Sequence, residues 1–226
     1  MAIALVASIA LAHPTGGTTG PITTTGANLL VVSVAWYVGT SADVAVSDAH
    51  SNTWTALTKQ ATAQSAQRLF YAKNAVVGSG HTVTVTNFAF GSPLSVTTFF
   101  AFSGADTTAP FDVENGATAN FGTSLATGSV TPAANGSLIV SGWTGMNGTS
   151  NPTVDSGLTL TTAQNPIGGT CLAGAAAYLI QSTAAAINPT WSWTGSDTVA
   201  DAVAVFKSAT AGAAVARVRP FVWMPV

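Results

Sequence analysis

The chain has 226 residues, enough for one large domain or two small ones, and 47% of them are hydrophobic while only 6% are charged. A chain this apolar can bury a full core and is not of the disordered class, which combines low hydrophobicity with high net charge. Its net charge of −2 and six scattered Lys and Arg residues leave no footprint for a phosphate backbone outside Arg217 and Arg219, so no nucleic-acid partner is expected.

The opening "MAIALVASIALAHP" carries an apolar run from Ala2 to Ala12 with no Lys or Arg before it. It is read as an uncleaved first strand, too short to span a bilayer, and no membrane association is expected. In "LLVVSVAWY" Leu30, Val32, Val34 and Trp36 share one face, the period-two signature of a half-buried strand. Further strands are expected in "RLFYAKN" (68–74), "TVTVT" (82–86), "SVTTFFAFSG" (95–104), "SLATGSVT" (124–131), "SLIVSGW" (137–143), "LTLTT" (158–162), "PTWSW" (189–193) and "DAVAVFKS" (201–208). Gly, Asn, Pro and Ser clusters between them supply turns.

The segment "CLAGAAAYLI" (171–180) favours a helix on propensity, but an internal echo argues for a strand. Trp36 and Trp143 stand 107 apart, as do Tyr71 and Tyr178, and the same offset carries "TVTVT" onto "PTWSW"; Phe102 and Phe206 follow at 104. These features predict an all-β fold: a two-sheet antiparallel β-sandwich, jelly-roll-like, with an extended C-terminal arm. The sandwich is assigned to residues 1–208, with pseudo-repeated halves at about 23–104 and 131–208, and the linker and arm to 209–226.

Few residues could carry chemistry. The lone Cys171 excludes an internal disulfide framework and a thiolate zinc site. Asp48 and His50 have the residue types of an acid–base pair, but their setting, "SDAHSNTW", is that of a turn in which Asp48 and Asn52 bond their own backbone. His13 and His81 have no sequence-local acid partner. Asp106, Asp112 and Glu114 offer hard oxygens without the spacing or glycine of an EF-hand loop, and Asp106 is expected to cap a turn into Pro110. No phosphate loop, dinucleotide fingerprint, zinc-hydrolase motif or nucleophile elbow is present, so no catalytic residue, metal or cofactor is expected.

"TTTGANLLVVSVAW", the turn from Asp48 to Thr55, the corner from Ser103 to Val113 and "NPTWSWTGS" followed by "AVAVFKSA" resemble a β-sandwich domain common in bacteriophage virion proteins and bacterial surface proteins, over about residues 3 to 209. The resemblance implies a structural or binding role and no enzymatic one. With so little charge to keep copies apart, the expected function is that of a capsid decoration or cement protein on the exterior of a phage particle. Its partners would be the major capsid protein or other virion subunits, and it would form a homo-oligomer.

The second reading is a carbohydrate-binding or adhesin module at a tail fibre, tail tip or cell surface. Trp191 and Trp193, two apart on one strand, would then stack on sugar if their face points outward, core packing being the other role open to them. The C-terminal "ARVRPFVWMPV" supplies the candidate partner contacts: Arg217 and Arg219 for charge-assisted bonds, and Phe221, Trp223 and Met224 as apolar anchors. Burial gain and ordering cost nearly cancel for this segment, so it docks either in a neighbour's groove or on its own sandwich.

Overall fold

Long runs rich in Val, Leu, Phe and Thr form strands here because both faces of each run find apolar cover. The computed structural model describes residues 2–13, 17–38, 43–86, 95–146, 151–161 and 172–209. Those residues are all-β. The N-terminal half supplies β1 (Ala4–His13), β2 (Gly17–Thr18), β3 (Leu29–Tyr37), β4 (Ala45–Asp48), β5 (Thr55–Ala56), β6 (Gln60–Ala61), β7 (Ser65–Lys73), β8 (Val83–Thr86) and β9 (Ser95–Ser103). The C-terminal half supplies β10 (Phe111–Ala126), β11 (Ser137–Gly145), β12 (Thr153–Val154), β13 (Thr159–Leu160), β14 (Ala173–Gln181) and β15 (Thr190–Phe206).

The first large sheet has the order β1-β9-β3-β7-β5, with β6 also on β7, and the second has β10-β15-β11-β14-β13, with β12 also on β15. A third sheet, β2-β8-β4, is small. All pairings are antiparallel. Strand for strand, β10 takes the place of β1, β15 of β9, β11 of β3, β14 of β7 and β13 of β5.

The second half has no separate small sheet because two of its strands are long. β10 and β15 pass through register shifts, and their far ends continue the pairing at Leu125↔Trp191 while β12 adds Val154↔Trp191. This three-strand flap matches Gly17↔Val85 and Val46↔Val85 in the small sheet of the first half. Trp191 therefore stands where Val85 stands, an offset of 106 and not the 107 of the expected alignment. With a side-chain period of two, that single residue decides which face carries the indole.

The two large sheets pack face to face, compatible with the expected sandwich, and further cover on their outer faces makes three apolar layers in all. Leu29, Val31, Phe100 and Phe102 of the first large sheet meet Leu138, Val140, Ala204 and Phe206 of the second. On the far side of the first sheet, Leu30, Val32, Val34 and Trp36 pack under Val83 and Val85. On the far side of the second, Ile139, Trp143 and Val203 pack under Trp191 and Trp193. β3 is consequently buried on both faces from Leu29 to Trp36, where one wet face was expected. The continuous apolar run is what such a doubly covered strand needs.

The alanine-rich segment is a strand, β14, held between β11 and β13. Small side chains suit it, because the two large sheets approach closely there. A methyl group at Gly174 would fall 2.7 Å from Cβ of Val96, and one at Gly142 would collide with the Gln67 amide and the Ser33 hydroxyl. Those two groups share a buried hydrogen bond, Gln67 Nε2 donating to Ser33 Oγ at 2.7 Å. Gly142→Ala is expected to lower unfolding free energy by about 1–3 kcal/mol through overpacking, measured as a lower denaturant midpoint with unchanged slope.

Candidate functional site

The turn after β4 forms as its sequence dictates. Asp48 Oδ1 accepts the His50 amide at 2.7 Å and the Asn52 amide at 3.3 Å, and Asp48 Oδ2 accepts Trp54 Nε1 at 2.6 Å. Asn52 then closes the loop onto the next segment: its Nδ2 donates to Val76 O at 2.9 Å, and its Oδ1 accepts the Val76 amide at 2.7 Å. His50 gives Asp48 its backbone N–H, so Asp48 does not orient the imidazole as a base.

The imidazole that faces Asp48 belongs to His81, which sequence proximity did not connect to any acid. His81 Nε2 lies 3.4 Å from Asp48 Oδ1, with both side chains fully buried. Its Nδ1 lies 2.8 Å from Thr24 Oγ1, and its ring meets that of His50 edge-on at a centroid distance of 4.4 Å. Hydroxyl, imidazole and carboxylate thus stand in the order of a nucleophilic triad. Thr24, however, is also fully buried and accepts the Gly78 amide at 3.1 Å. A nucleophile needs an open side to its substrate; here the hydroxyl pins one loop to another.

The bridge Ile22↔His81 has its counterpart in Val130↔Ile187. An isoleucine fills the equivalent place, so the strand pairing does not require the polar cluster. Burial holds the His81 imidazole below its ordinary 6.5, with Asp48 pulling the other way.

The second half carries its own buried acid, also unsuspected from sequence. Asp201, on β15, pairs across to Ala117 on β10 and Trp143 on β11, and is fully buried. Its Oδ1 accepts the Ala117 amide at 3.0 Å, while Oδ2 has no partner. Burial pushes this carboxyl up to about 8. Alternation within "DAVAVF" was the available signal, since it sets Asp201 on the face of Val203 and Val205.

The other carboxylates are individually committed. Asp106 Oδ1 accepts the Thr108 and Ala109 amides at 2.7 and 3.0 Å, the turn cap that its sequence indicates. Asp112 accepts the Ala133 amide, and Glu114 holds both the amide and the hydroxyl of Thr58. No group of three or more His, Cys, Asp or Glu among the described residues is placed to hold a metal.

Trp191 is 0% and Trp193 6% exposed, and both pack on Trp143 at centroid distances of 6.4 and 5.6 Å. Their face points inward, so of the two roles open to these rings they take core packing, and the outward face that sugar stacking required is not found; covering the outer face of β11 took both. Arg217, Arg219, Phe221, Trp223 and Met224 lie outside the described residues, as does Cys171.

The accessible features are at the sheet edges. On one side β1 and β13, edge strands among the described residues, border a groove of about 510 Å³, to which Leu5, Ser8, Leu160 and Tyr178 contribute. On the opposite edge of the second sheet, β10 carries Phe121, which is 83% exposed and held at φ +65°. For a bulky side chain this left-handed backbone costs on the order of 1–2 kcal/mol. All of β1 and residues 115–126 of β10 lack Asp, Glu, Lys and Arg, so these stretches have none of the charged side chains that commonly block strand-to-strand association; on β10 the charges, Asp112 and Glu114, stand at its start.

Comparison with protein-family models, curated proteins and solved structures finds no match to this chain.

Two predictions follow from the buried ionisable groups. Asp201 binds its proton more tightly folded than unfolded, so its contribution is present below about 4 and is lost as pH rises toward about 8. Stability should fall over that window by up to about 1.4 kcal/mol per pH unit, and Asp201→Asn should flatten the slope in denaturant titrations at several pH values. His81 has the opposite sign: the unfolded chain takes its proton first as pH drops through 6.5, so acid destabilises. His81→Leu should remove that acid dependence at a cost of about 1–3 kcal/mol near neutrality, since Asp48 and Thr24 each lose a partner.

Proposed function

We propose that this protein is a non-enzymatic structural subunit of a bacteriophage virion, a decoration or cement protein that reinforces a shell through subunit contacts. In this reading residues 1–208 form one jelly-roll-like sandwich, and residues 209–226 form a linker and an arm that reaches a neighbouring subunit. The observation that carries the reading is a pair of sheet edges, β1 and residues 115–126 of β10, that carry no Asp, Glu, Lys or Arg and are unpaired among the described residues, on a chain with 6% charged residues. Such edges are a liability in a free monomer and a resource in a lattice, where backbone pairing and repeated weak contacts add up.

The chemistry of the interior supports the same reading. The triad-like Thr24, His81 and Asp48 are sealed from substrate, and each remaining carboxylate described above serves a backbone amide. Phage capsid protein or another virion subunit is the proposed partner, and the particle exterior the proposed location.

The test is what accompanies the protein when it is purified from its native source. Intact particles are expected, and removal of residues 210–226 should lower particle occupancy or heat resistance while the sandwich stays folded by circular dichroism. Recovery of a lone chain that turns over a substrate would overturn the reading.

A further inference from the structure

We infer that copies of this chain associate head to tail, with Phe121 of one copy seated in the groove between β1 and β13 of the next. Three observations converge on this contact. Phe121 is 83% exposed and sits at φ +65°, a conformation in which a bulky residue is an outlier, so the backbone is strained to present an aromatic ring to solvent. One register shift spans it, between Asn120 and Gly122, and a second follows between Gly122 and Ser124, so this point of β10 is out of regular pairing.

The second observation is the receptor. The groove, about 510 Å³, lies within the roughly 300–1,000 Å³ usual for clefts that take a ligand group. Leu5, Leu160 and Tyr178 offer it apolar surface, and Leu160 is itself 37% exposed. Among the described residues β1 pairs only with β9, and its other edge has backbone donors and acceptors beside Ser8 that could pair with the strand that carries the ring.

The third is placement. β10 and β13 are the opposite ends of one sheet order, β10-β15-β11-β14-β13. Knob and groove therefore face away from each other, and a second copy displaced across the strands brings one to the other. Such a contact is heterologous and closes into a ring or extends as a chain. Charge does not oppose it, since residues 115–126, β1 and β13 carry no Asp, Glu, Lys or Arg.

This inference is independent of the virion reading: self-association is measured on purified protein with no particle present, and either can fail while the other stands. The rival occupant of the groove is the chain's own segment 210–226, because the Ala209 amide donates to Gly104 O, beside Ala2 at the start of β1.

The experiment uses full-length protein and light-scattering mass over a concentration series. Wild type should rise above the single-chain mass, while Phe121→Gly, which removes the knob, and Leu160→Arg, which blocks the groove, should each stay at that mass. Ser8→Arg serves as a second groove variant. Phe121→Gly should also melt at a higher temperature, because glycine relieves the backbone.

Mixing Phe121→Gly with Leu160→Arg leaves one competent knob and one competent groove, so a two-chain complex and nothing larger should form. Wild type fixed at the single-chain mass, or Phe121→Gly associating like wild type, would overturn the contact. So would a mixture that stays monomeric, the result expected if residues 210–226 fill the groove or if like edges pair.

Discussion

The structure depends on covering both faces of its two large sheets. β11 is buried from one end to the other and β3 from Leu29 to Trp36, and the layer between them, built from Leu29, Val31, Phe100 and Phe102 against Leu138, Val140 and Phe206, joins the two halves. That central layer works only at close range. Gly142 and Gly174 set the range, since side chains there would meet Gln67, Ser33, Ala35 and Val96. Ala176 keeps β14 thin on that same face, while Ala175 and Ala177 point to the outer layer with Trp143 and Trp191. The stretch that reads as a helix by composition is a strand because its neighbours on both sides supply backbone partners, and tertiary pairing outweighs a preference of tenths of a kcal/mol per residue.

Much of this was legible in the sequence, and the failures have identifiable causes. The all-β class and most strands follow from alternation, and the echo linking Tyr71 with Tyr178 finds both in corresponding strands, β7 and β14. The number of layers did not follow, because alternation in "LLVVSVAWY" marks two distinct faces without saying whether the second is wet. Trp191 and Trp193 show the same gap: their shared face is readable, its direction is not. The polar cluster was half readable. Asp48 and Asn52 announce their turn, whereas Thr24, Asp48 and His81 are brought together only by the pairing of β8 with β2 and β4.

The two halves use one wiring with different fillings. Where the first places His81 in a network with Thr24 and Asp48, the second places Ile187. Where the second buries Asp201 with one oxygen unpartnered, the matching large sheet of the first carries no acid in β3, β7 or β9. Polar groups inside a core are costly unless fully paired. Their presence in different places in each half indicates that the shared scaffold tolerates them and that neither defines it.

The unbroken course of β15 distinguishes how the halves come apart. In the first half, the small sheet and the large one are built from separate strands, β8 and β9, so exchange-protected amides can open as two units. In the second, one 17-residue strand runs from the flap into the large sheet, and loosening the flap pulls on the same backbone that carries Val199 to Phe206. Flap and sheet there share one fate, and slow hydrogen exchange in Thr190–Ser192 would be inherited from the centre of the stack.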